Sequence, residues 1–117
     1  MSYTHRVSRV YADVDHTDAW NVMPKLPLDG PCYSYLFLAA ELTSSRIYKV
    51  GITQNVAQRF SQFCSGLPPI FTPRIVSVLL LDSQLWASLC EESVLVHCRH
   101  LWIGGEWLLE SREGDDG

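Results

Sequence analysis

The chain reads as an α+β domain: a small antiparallel sheet of about three strands flanked by two principal helices, behind an N-terminal extension. Three observations predict this. Residues 33–40 form a nearly continuous apolar run of strand length, and residues 46–53 follow with Ile47, Val50 and Ile52, β-branched side chains that suit a pleated, half-buried surface. Behind Asn55, Val56, Phe60 and Phe63 recur at helical spacing, and a later stretch spaces Leu85, Leu89, Glu92 and Val96 by four, three and four. Between the two helical patterns, residues 73–81 are apolar nearly throughout, as in a strand that is central or covered on both faces.

Residues 1–31 read as an extension and linker. Tyr3, Val7, Val10, Tyr11 and Val14 show no clean period, so only a short strand around 6–14 and a turn over 15–18 are expected. Trp20, Val22 and Met23 would anchor this segment before a turn-rich run containing Pro24, Pro27 and Pro31. The domain proper is then 32–110. Its first strand turns through Thr43, Ser44 and Ser45 into the second. Asn55 caps a helix over 56–64, with Gly66 as its C′ residue and Pro68-Pro69 forbidding continuation. Asp82 or Ser83 caps a second helix running to about His100, with Glu92 projecting from its aliphatic stripe. Gly104-Gly105 turns the chain so that Trp107 packs beside Trp102, Leu108 and Leu109, and residues 111–117 form a frayed acidic tail.

A length of 117 residues suits one domain with a core of its own, and 47% hydrophobic against 19% charged residues excludes a disordered chain. The longest apolar run, 75–81, is far too short to span a bilayer, and no export signal is visible, so a cytoplasmic protein away from membranes is expected. Cys32, Cys64, Cys90 and Cys98 make no C-x-x-C pair and are expected as reduced thiols, Cys90 and Cys98 serving in packing. His97 and His100 near Cys90 and Cys98 lack the paired spacing of a zinc site, and no histidine has a nucleophile-elbow context. The net charge of −4 is unevenly spread. Residues 1–30 carry −1, residues 31–103 carry +1 (Arg46, Lys49, Arg59, Arg74 and Arg99 against Glu41, Asp82, Glu91 and Glu92), and the last fourteen carry −4. Five scattered cations make at most a small basic patch.

The run Tyr48-Lys49-Val50-Gly51-Ile52-Thr53 has Arg59 eight residues after its glycine. It is preceded by Tyr33-Ser34-Tyr35-Leu36-Phe37-Leu38 and trailed by a helix with Glu92 and then by Gly105-Glu106-Trp107. Over roughly residues 33–109 this succession resembles the GIY-YIG endonuclease superfamily, in particular its phage-type branch. The resemblance implies hydrolysis of DNA phosphodiesters with one Mg²⁺ or Mn²⁺, which polarises a phosphoryl oxygen. It also implies a glutamate that holds the metal, a tyrosine that helps to activate water, and an arginine that offsets charge on the phosphate. Matched motif to motif, Arg59 takes the arginine's place and Glu92 the metal glutamate's, with Glu91 the alternative if the helix phase is one residue off.

The residues support parts of this on their own chemistry. A guanidinium at position 59 reaches back toward the strand carrying Lys49 and Gly51, where the glycine admits a ligand and the cations suit a phosphate. Phe37 stands where one register of the first motif needs a tyrosine; sliding the register restores a phenol at Tyr35, on the same strand face. Lys49 occupies the second motif's tyrosine position, able to bind phosphate or, if desolvated, to act as a base, while Tyr48 points to the other face. Phe63 replaces a histidine common in the family, and Glu106 reads as structural, a partner for Arg59 or for an arginine on the second helix. Tyr35, Tyr48, Lys49 and Arg59 are thus the catalytic candidates, Lys49, Gly51 and Arg59 the substrate-binding ones, and Glu92 the metal ligand. The losses at Phe37 and Phe63 give the second reading: an inactive, nuclease-derived protein that docks on a protein or nucleic acid as an inhibitor or regulator. A third is a homodimer formed through the Trp- and Leu-rich end.

Overall fold

A computed structural model of the chain describes residues 7–12 and 23–111. The expected turn over 15–18, the Trp20 and Val22 anchor and the tail from 112 onward lie outside the described residues. Six strands form one sheet: β1 (Val7–Ala12), β2 (Cys32–Glu41), β3 (Ser45–Thr53), β4 (Arg74–Leu81), β5 (Trp102–Gly104) and β6 (Trp107–Ser111), in the order β1-β4-β2-β3-β6-β5. Every neighbouring pair is antiparallel. Among the described residues two helices, α1 (Val56–Ser65) and α2 (Gln84–His97), pack on this sheet, with a 3₁₀ turn at Arg99–Leu101.

The expected three-stranded sheet flanked by helices is therefore incorrect, although helices and an antiparallel sheet do combine. The three expected strands are β2, β3 and β4. β1 falls within the short strand expected around 6–14, but its place in the sheet was not legible: it pairs with β4 some seventy positions away, Val7 opposite Leu81 and Ala12 opposite Ser77, and a pairing so distant leaves no local mark. β5 and β6 are only three and five residues long, so their tryptophans and leucines read as packing side chains rather than as strands. Gly104 and Gly105, at φ of 128° and 55°, supply the left-handed backbone that this tight hairpin requires.

β2 lies between β4 and β3 and is buried along nearly its whole length, which is why its sequence is apolar without alternation. Tyr33, Tyr35 and Phe37 share one face with Tyr11, Ile75 and Val78, and α1 packs on that face through Val56, Ala57 and Phe60. Met23, 1% exposed, joins this cluster from the segment ahead of β2. The Tyr33 hydroxyl donates to the Pro24 carbonyl at 2.9 Å, and the Leu26 amide donates to the Gln54 carbonyl at 2.8 Å. Cys32 and Leu81 face the other way, against Ala87 of α2. The sheet thus separates the two helices.

The helix ends match their local chemistry. Asn55 Oδ1 accepts from the Gln58 amide at 3.1 Å and Ser83 Oγ from the Trp86 amide at 3.3 Å, which fixes both N-caps. Gly66 closes α1 at φ −89°, a right-handed cap rather than a left-handed C′ position. α2 ends at His97, short of the expected His100, because the chain tightens into the 3₁₀ turn. Its orientation is the larger correction. Leu85 and Val96, 65% and 60% exposed, lie on the outer side of α2, and Ala87 is its buried residue. No described helix is long and apolar enough to cross a membrane.

Candidate functional site

Tyr35 on β2 pairs with Gly51 on β3, and the phenol lies across the glycine so closely that a Cβ there would overlap it. The ring is 3% exposed and stacks on Phe37 with centroids 4.0 Å apart. One turn into α1, Arg59 sits at the edge of the apolar stripe and its Nε donates to the Tyr35 hydroxyl at 3.1 Å. That is the only side-chain hydrogen bond of Arg59 among the described residues, and the side chain is partly exposed on the side of the sheet that carries α1. Burial pushes the Tyr35 phenol up from its ordinary value; the Arg59 bond and charge oppose this, while Glu106 and Glu91 add to it. Tyr35 is therefore a neutral hydroxyl at pH 7, accepting from Arg59 and retaining its own proton to donate.

The β5–β6 hairpin lies along β3 next to these residues. The Val50 amide donates to the Glu106 carbonyl at 2.9 Å where β6 leaves β3 after the Lys49–Trp107 pair, and this sets the Glu106 side chain beside Lys49. Lys49 Nζ lies 3.3 Å from Glu106 Oε2 and 5.1 Å from the centre of the Trp107 ring. Glu106 also bears electrostatically on Tyr35, Arg59 and Glu91. It is the one residue coupled to every other member of the group, although the sequence offered it only as a structural carboxylate.

The remaining candidates are placed less directly. Glu92 is exposed on the outer side of α2, in a groove of about 220 Å³ with Leu89, Val96 and His97 that Arg59 does not line. Its neighbour Glu91 points inward, lining a cavity of about 90 Å³ with Ser34, Leu36, Val50 and Ser77. Burial pushes Glu91 above the usual carboxylate range; Glu106 and Glu92 raise it further and Lys49 draws it down. Tyr48 faces away from Tyr35: its hydroxyl donates to Glu110 Oε1 at 3.2 Å, where Arg46 also pairs with Glu110 and Glu41.

Among the described residues no three histidine, cysteine or acidic side chains gather to hold a metal ion. A Mg²⁺ or Mn²⁺ ion keeps several waters, and the inward carboxylate of α2 that could serve it as a ligand is Glu91. The four cysteines are all free thiols. Comparison of the chain with protein-family models, with curated proteins and with solved structures finds no match.

Proposed function

We propose that this chain is a GIY-YIG-type endonuclease, which hydrolyses DNA phosphodiesters with one divalent metal in a cytoplasmic setting. The observation that carries this reading is the hydrogen bond from Arg59 Nε to Tyr35 Oη above Gly51, which holds the guanidinium beside the β2–β3 pair while its terminal amino groups make no hydrogen bond to the described residues. A bidentate guanidinium suits two phosphate oxygens, and charge developing on them is stabilised where it forms. Tyr35, kept neutral by burial, would position the attacking water through a hydrogen bond to its hydroxyl, and the proton that the water loses on attack passes to solvent. Lys49, paired with Glu106, adds positive charge on β3 rather than serving as a base. Mg²⁺ or Mn²⁺ would supply polarisation of a phosphoryl oxygen, and Glu91, the carboxylate of α2 that lines a cavity together with Tyr35, would hold it.

Two substitutions favour a second reading, a protein that retains the cleft without cutting. Phe37, fully buried, and Phe63 put hydrocarbon where the family has a phenol and an imidazole. Incubation of the purified chain with supercoiled plasmid and Mg²⁺ separates the two. Nicking that is lost in Arg59→Ala and Glu91→Gln, and kept in Glu92→Gln, supports the enzyme. Intact plasmid with wild type and variants alike leaves the docking protein.

A further inference from the structure

The rings around Arg59 fall into two groups. Tyr35 and Phe37 are buried and stacked on one another at 17°, so their faces are already used. Phe63, which packs on Phe37 at 5.3 Å, and Trp107 meet at 34° with centroids 6.1 Å apart, and both are only half-buried, so part of each remains accessible to solvent. Phe63 lies one helical turn beyond Arg59, about 5.4 Å along the axis. Lys49 Nζ lies over the Trp107 ring, 5.1 Å from its centre. Two cations therefore flank a small aromatic surface, with an arginine edge one turn away from the rings.

We propose that Phe63 and Trp107 form a stacking platform for one unpaired base of a DNA strand whose adjacent phosphate lies on Arg59; this rests on the phosphate-binding role assigned above. Base-on-aromatic stacking tolerates any sequence because every base has a flat face, and it requires the base to be out of a duplex. With only Lys49 and Arg59 at the site, recognition is confined to one or two nucleotides, which suits a junction, a flap or a single strand better than a long stretch of duplex. Phe63 is thereby given a role: where an imidazole would meet the phosphate, the phenyl ring meets the base.

The test is fluorescence anisotropy of the full chain with a labelled ten-nucleotide strand, the same strand with abasic sites, and the blunt duplex, in EDTA so that nothing is cut. The intact strand is expected to bind on the order of 10-fold tighter than the abasic strand, the loss of one good stacking contact, and tighter than the duplex. Trp107→Phe should keep that preference and Trp107→Leu should abolish it, while Arg59→Gln weakens binding to all three DNAs. Equal affinity for intact and abasic strands overturns the platform and leaves phosphate binding standing. Binding to none of the three overturns both.

Discussion

A methyl group on Gly51 would enter volume that the Tyr35 phenol already fills, and that ring cannot swing away because it is buried and stacked on Phe37. Gly51→Ala is therefore expected to destabilise the fold by about 1–3 kcal/mol, the usual range for overpacking a filled core, read by urea denaturation. Tyr35→Phe keeps the ring and deletes only the bond to Arg59, so its cost should be about 0.5–1.5 kcal/mol. Glu91 gives a pH signature. Its folded-state pKa is raised, so the protonated form is favoured on folding; the resulting stability is present below the ordinary carboxylate range and is lost as pH rises through the raised value. Glu91→Gln should accordingly raise the melting temperature at neutral pH and leave it nearly unchanged at about pH 4, where the wild-type carboxyl is also neutral. Equal gains at both pH values would count against a buried carboxylate.

At the scale of the element, α2 is the most informative. It is apolar almost all round, so spacing by itself admits more than one inward face. Leu85→Lys and Val96→Lys, on the outer side, should change stability by less than about 0.5 kcal/mol. Ala87→Leu, packed against Cys32 and Leu81, should cost about 1–3 kcal/mol. The opposite order in thermal melts would rotate the helix back to the phase that puts Glu92 inward. α1 is simpler: Asn55→Ala removes the bond to the Gln58 amide and should cost about 1 kcal/mol.

For the whole molecule, the sheet decides which groups can meet. α1 brings Arg59 to one face, α2 brings Glu91 to the other, and the β5–β6 hairpin sets Glu106 beside Lys49. The net charge of −4 works against long-range attraction to DNA, so binding must come from a few close contacts. With Arg59 and Lys49 each meeting one phosphate, log K for a single strand should fall with log salt at a slope of roughly −1.4, about −0.7 per phosphate. A slope several times steeper would require a larger basic surface than this sheet presents.

The sequence alone fixed what depends on neighbouring residues. The strands β2, β3 and β4, the Asn55 and Ser83 caps, and the approach of Arg59 to the Gly51 strand could be read from propensity, spacing and side-chain reach, because each is a short-range matter. The full sheet could not, since β1 meets β4 across most of the chain and β5 and β6 are too short to carry a period. Which glutamate of α2 turns inward was not legible: Glu91 and Glu92 differ by 100° on the helix, and the sheet that α2 packs against sends Glu91 to the inner cavity and Glu92 to the outer groove. Glu106 became central only because an antiparallel hairpin, paired to β3 through backbone bonds that no side chain announces, sets it next to Lys49.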